Sequence, residues 1–103
     1  MALSTTELIE KIISAFKYQS IIPIDAIKLE HTGIYNTYIL CVSAPSLSSR
    51  HYGAKVESII SILFAHTTLE IRGMIDRVKV FDSIEHMENP DKIDLNIGKT
   101  FKV

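Results

Sequence analysis

A chain of 103 residues that is 47% hydrophobic suffices for one domain, and should bury roughly two-thirds of its unfolded surface. Its 11 basic and 12 acidic residues leave a formal net charge of -1. That balance excludes simple polyanion capture as the main activity, since counterion release needs a clustered positive field, and the composition excludes disorder. The single cysteine, Cys41, excludes an intrachain disulfide, a zinc ribbon and a CxxC redox pair.

The chain opens on a helix-start signature. Ser4 and Glu7 fit a capping box, with Leu3 and Leu8 at the positions of a hydrophobic staple. Leu8, Ile9, Ile12, Ile13 and Phe16 follow at helical spacing, which predicts a helix over Thr5 to Tyr18 that Pro23 cannot extend. Ile24 to Glu30 alternates as a strand with one wet face, and His31-Thr32-Gly33 is a turn signal. Tyr35 to Val42 is the strongest strand, and its apolar run from Tyr38 predicts a central position covered on both faces.

Ser48 or Ser49 is the expected cap of a second helix, Ser49 to Ala65. That helix should pack on the second strand through Val56, Ile59, Ile60 and Leu63. Thr67 to Ile71 and Arg77 to Phe81 alternate as two further strands, with Gly73 between them. The expected fold is α/β (α+β): a small mixed sheet with two main helices packed on it, in the order α-β-β-α-β-β. Residues 1–84 form the domain. Residues 85–103 form a polar tail, with Ile93 to Ile97 as an optional edge strand.

No apolar run approaches the roughly 20 residues of a spanning helix. Met1 to Glu10 carry neither a secretory nor a transit signature. The expected location is therefore the cytoplasm of a bacterium, or an organelle matrix if a transit peptide has been removed.

Catalytic chemistry is sparse. The four histidines, His31, His51, His66 and His86, show no metal-ligand spacing, so no metal or cofactor is expected. Cys41 sits mid-strand, where a thiol is a core residue rather than a nucleophile. Asp25, Asp76 and Asp82 lack a second acidic residue two positions on, which argues against two-metal phosphoryl transfer. There is neither a Walker loop nor a GxxG loop. The reading is a non-enzyme. The segment Ser46 to Lys55 places serines, Arg50 and His51 at a helix start, a geometry suited to an anion. The ordinary reading, adopted here, is that the serines cap the helix and the cations are solvated.

That segment also carries a resemblance. Thr37-Tyr38-Ile39-Leu40-Cys41, a serine-containing loop, and Ser49-Arg50-His51 with Ala54 at a helix opening resemble the ribosomal silencing factor (Iojap-like) family. The leading helix and the strand Ile24 to Leu29 fit the same order, so the resemblance covers about the first two-thirds of the chain. The chain departs from the family at Thr37, where the family has aspartate, in its longer loop and in having no Trp. The family's two-strand C-terminal signature is not reproduced; Asp76 to Phe81 stands as a worn version of its last strand, with Lys79 in place of the histidine.

The resemblance implies a nucleotidyltransferase-like fold without catalytic carboxylates. It implies binding to a large-subunit ribosomal protein (L-fourteen) that blocks subunit joining, or a role in large-subunit assembly. No membrane and no sequence-specific nucleic acid is involved, and a homodimer is left open. The interface residues it points to are Tyr38, Arg50, His51, Lys55, Lys79 and Phe81.

A second resemblance is to BolA-like proteins, which run helix, two strands, loop, Arg-His helix and short strand. Cys41-Val42-Ser43 and Ser49-Arg50-His51 carry it, with Tyr52 in place of an arginine and His66 as the histidine after the second helix. It implies a monothiol glutaredoxin partner and iron–sulfur handling. A third reading is an interaction subunit of an unrelated complex, pairing through an edge strand.

Overall fold

A computed structural model describes residues 4–19, 21–34, 36–88 and 100–103. Helix α1, Thr5–Tyr18, begins as its sequence predicts: the Ser4 side chain accepts from Glu7 N–H and the Glu7 side chain accepts from Ser4 N–H. Leu3, the other half of the expected staple, lies outside the described residues. The buried stripe is Leu8, Ile9, Ile12, Ala15 and Phe16. Gln19 ends the helix and ties down the chain beyond it. Its amide donates to the Phe16 and Ile22 carbonyls and accepts from the N–H groups of Ile21 and Ile22.

Strands β1 (Ala26–His31) and β2 (Tyr38–Ser43) pair antiparallel, with Ile27 opposite Val42 and Leu29 opposite Leu40. The turn between them needs a left-handed residue at Gly33, φ 91°. Thr32 and Thr37 close its neck by a side-chain hydrogen bond. After β2 a single 3-10 turn, Pro45–Leu47, leads into α2, Tyr52–His66. The cap of α2 differs from expectation. His51 is the N-cap residue, its Nδ1 accepting from Ala54 N–H at 3.3 Å, and Ser48 and Ser49 lie in the turn before it. Within α2, Ile59, Ile62 and Leu63 are buried, while Val56 and Ile60 are partly buried. The helix packs chiefly over β3 (Ile75–Phe81) and against α1 rather than squarely on β2.

The expected strand Thr67 to Ile71 is instead part of a short helix, α3, Leu69–Met74. Thr68 caps it, accepting from Ile71 N–H, and Ile71 and Met74 are buried at i, i+3 while Leu69 is 76% exposed. A strand would have put Leu69 and Ile71 on one face, whereas a helix separates them. The cap and the burial of Met74 decided between the two. Gly73 lies inside this helix rather than in a strand-to-strand turn.

Strand β3 runs parallel to β2, with Leu40 opposite Val78 and Val42 opposite Val80. A fourth helix, α4 (Ile84–Glu88), and a short strand, β4 (Thr100–Lys102), follow. The sheet order is β3-β2-β1-β4, so β2 is central as expected. The molecule is therefore a small α+β domain with a mixed four-stranded sheet. Ile93 to Ile97 lie outside the described residues, and the described edge strand of this region is β4, antiparallel to β1. Among the described residues no helix is long and apolar enough to cross a membrane.

The two faces of the sheet differ in kind. One carries Ile27, Leu29, Leu40, Val42, Val78 and Val80 and is covered by α1 and α2. The other carries Ala26, Lys28, Glu30, Ile39, Cys41, Arg77, Lys79 and Phe81, following the period of two. Here α4 covers one end, packing Met87 against Ala26 and Cys41, with Ile39, Phe81 and Ile84 beside them. Lys28 is fully buried at this point. Its Nζ donates to the Met87 carbonyl at 2.8 Å and lies 3.4 Å from Glu30 Oε2.

The methylene stem of Lys28 contributes packing, and its ammonium contributes one hydrogen bond and one partly desolvated ion pair. Replacing it by an apolar residue of similar length keeps the first and removes the cost of burying the second. Lys28→Met should therefore lose less than about 1 kcal/mol, and Lys28→Ala, which leaves a cavity, roughly 2–4 kcal/mol. Urea unfolding of both variants measures the difference.

Candidate functional site

Three of the six residues singled out from sequence meet at one place. Lys55 of α2 and Lys79 and Phe81 of β3 line a groove of about 370 Å³ beside the C-terminal half of β3, with Tyr52, Val80, Asp82 and His86. Helix spacing places Tyr52 and Lys55 on the same flank of α2, at i and i+3. The period of two places Lys79 and Phe81 on the same face of β3.

The groove is electrostatically organised. Lys55 Nζ is 2.9 Å from Asp82 Oδ1, with the lysine side chain only 12% exposed. The expectation of a solvated Lys55 is thus corrected: Asp82, placed just beyond the end of β3, pulls it against the sheet. Lys79, 40% exposed, is 3.7 Å from Glu30 Oε1, and Glu30 also faces Lys28. The Tyr52 hydroxyl accepts from Val80 N–H at 3.4 Å, bridging α2 to the strand edge. The rings of Phe81 and His86 meet edge to face with centroids 5.3 Å apart.

The other three residues lie elsewhere. Tyr38 starts β2, opposite Ile75 and therefore at the far end of the sheet from Phe81. Its hydroxyl hydrogen-bonds Thr5 Oγ1 at 2.9 Å and its ring meets His31 edge to face. Arg50 donates to Ser58 Oγ at 3.0 Å, and His51 is engaged in capping α2. Sequence reasoning missed Tyr52, Asp82 and His86. Tyr52 reads as a core position at helical spacing with Val56 and Ile59, but it is the first residue of α2 and is 54% exposed.

A second hollow of about 300 Å³ lies on the uncovered end of the charged face, lined by Glu30, His31, Thr32, Ile39, Asp76, Arg77 and Lys79. Lys79 lines both hollows. A wider cavity of about 560 Å³ lies between α1 and the α2–α3 junction, where the rings of Tyr18 and His66 meet at a tilt with centroids 5.4 Å apart. Among the described residues no group of three His, Cys, Asp or Glu side chains converges to hold a metal ion.

Cys41 is fully buried opposite Lys28 and Lys79. Burial pushes its thiol up to about 11, with the Glu30 carboxylate adding to the rise and the Lys28 and Lys79 ammonium groups opposing it. A thiol held protonated beneath α4 is a core residue and not a nucleophile.

No family model, no curated protein and no solved structure matches this chain.

Because the folded state holds the Cys41 proton more tightly than the unfolded chain, this group favours folding fully below about pH 9. That contribution is lost as the pH rises to about 11. Stability should fall more steeply over that window in the native sequence than in Cys41→Ala, measured by urea unfolding at each pH. Ellman's reagent should label the native protein at pH 8 only once it unfolds.

Proposed function

We propose that this chain is a non-catalytic docking domain that binds a large-subunit ribosomal protein (L-fourteen) through the β3 side of its sheet, and so hinders subunit joining or assists large-subunit assembly. The observation that carries the reading is the convergence of Lys55, Lys79 and Phe81 on one groove. These residues come from two segments far apart in sequence, and among the described residues the groove runs along the outer strand of the sheet. The contact surface of the silencing-factor family includes the last strands of its sheet, and β3 takes that place in this chain although its sequence is the part that resembles the family least. The groove's chemistry suits recognition: an aromatic floor, one paired and one part-exposed lysine, and a histidine at its rim. The one thiol of the chain is sequestered on the other side of β2 from α1 and α2.

A second reading has its own support. With α3 in place of the expected third strand, the leading order is helix, two strands, loop, Arg-His helix, short helix and one strand, which is the order of the BolA-like resemblance apart from α3. His66 at the end of α2 is exposed, as a histidine presented to a partner must be. The partner in that reading is a cluster-loaded monothiol glutaredoxin.

Co-sedimentation with isolated ribosomal subunits at moderate salt separates the two. The chain should travel with the large subunit alone. Lys55→Gln combined with Lys79→Gln should reduce that binding by at least about tenfold, the scale of two modest charge contacts. Neutralisation is preferable to reversal because a glutamate at residue 55 would face Asp82 directly. No association with either subunit removes the ribosomal reading. New charge-transfer bands on titrating a cluster-loaded glutaredoxin, lost in His66→Ala, then support the second.

A further inference from the structure

Strand β3 is the edge of the sheet on the side of α2, and its peptide groups are not all used. In a parallel ladder both peptide groups of a residue point to the same side, and successive residues alternate. The Phe81 carbonyl accepts from Ala44 N–H, towards β2, and the Val80 N–H donates to the Tyr52 hydroxyl, away from it. By that alternation the Val78 N–H and C=O face outward. Among the described residues nothing pairs with them, and β4 caps only the opposite edge. The side chains of this open stretch are sorted by charge. Val78 and Val80 turn under the helices, while Arg77, 65% exposed, and Lys79 stand on the other face, beside the hollow they share with Glu30, His31 and Asp76.

We infer that the β3 edge accepts one extended strand from an acidic partner, adding a fifth strand to the sheet, with carboxylates at alternate positions opposite Arg77 and Lys79. This rests on the docking reading above but not on the partner being ribosomal. A second copy of the chain is the obvious rival occupant, and its charges oppose it. The register slips between Tyr38 and Ile39, where Asp76 is skipped, so the regular outward-facing residues are 78 and 80, and these must pair with their own counterparts across a two-fold axis. Pairing Val78 with itself puts Arg77 on Lys79, and pairing it with Val80 puts Lys79 on Lys79. Like charges directly opposite one another disfavour a strand pair.

The surplus on this face has the same sign. Lys28, Arg77 and Lys79 stand against Glu30 and Asp76, with Arg77 Nε 3.5 Å from Asp76 Oδ2 and Glu30 shared between the two lysines. One further carboxylate would give each lysine its own partner. An added strand recognises the edge through peptide hydrogen bonds and takes its specificity from alternate side chains, here facing the two cations.

The test uses the full chain and a fluorescein-labelled heptapeptide of alternating threonine and glutamate, with the threonine–lysine peptide as its counterpart. Two N-methylated forms of the glutamate peptide are also needed, one methylated at the threonines and one at the glutamates. The glutamate peptide should bind and slow hydrogen exchange at the Val78 amide, and the lysine peptide should not bind. One methylated form should lose binding and the other keep it: methylated threonines block an antiparallel strand, methylated glutamates a parallel one. Arg77→Gln with Lys79→Gln, both changes at part-exposed positions, should weaken binding by at least about tenfold with unchanged unfolding midpoints.

The inference is overturned if both methylated forms bind, or neither does, or if binding leaves Val78 exchange unaltered. It is also overturned if the unliganded chain dimerises with concentration-dependent protection of Val78, which would make the second copy the occupant. Peptide binding without ribosomal co-sedimentation would sink only the ribosomal partner, and co-sedimentation that survives Arg77→Gln alone, with no glutamate peptide bound by the native chain, would sink only the added strand.

Discussion

A fully buried lysine organises the second face of this sheet. Lys28 stands in the middle of β1, and an ammonium group withdrawn from water must find acceptors close by. It has two: the Met87 carbonyl of α4 and the Glu30 carboxylate. The first holds the short helix down on the sheet, where Met87 seals Ala26 and Cys41. A five-residue helix cannot hold its shape by itself, since helix nucleation is costly, so the contact to Lys28 and the seating of Met87 belong together. Because Glu30 is engaged by Lys28 and by Lys79, the same buried group sets the charge balance at the open end of that face.

The two faces therefore serve different ends. The face under α1 and α2 is an ordinary apolar interior, built from β-branched and leucine residues at strand spacing meeting a helical stripe. The opposite face is half closed by α4 and half open, and its open half holds the charged residues of β1 and β3. Both hollows beside β3 share Lys79, so a ligand on the strand edge and one in the groove would touch the same cation. The docking reading draws on that adjacency.

Much of the fold was legible in the residues. The boundaries of α1, its capping box and the central place of β2 follow from capping chemistry and periodicity. Two elements were not legible. In α3, Leu69 and Ile71 satisfy a strand period, and only the Thr68 cap and the burial of Met74 reveal a helix. In α4 a single buried residue, Met87, carries the element, and one residue has no period. The candidate site was half legible: Lys55, Lys79 and Phe81 were singled out and meet, whereas Tyr38, Arg50 and His51 serve the structure near them. Tyr52 shares the helical spacing of the buried stripe, but as the first residue of α2 it is half exposed at the groove, which spacing alone does not tell.

The sequence by itself determined which segments are helical or extended where several turns or strand repeats agree, and it determined that the only thiol lies in an apolar strand. These are local properties, set by spacing and by hydrogen bonds between near neighbours. Tertiary structure alone decided that β3 is an outer strand, that Lys28 is buried beneath α4, and that Asp82 holds Lys55 against the groove. Each of these depends on the order in which strands lie side by side. That order is settled by contacts between residues tens of positions apart, which no local pattern encodes.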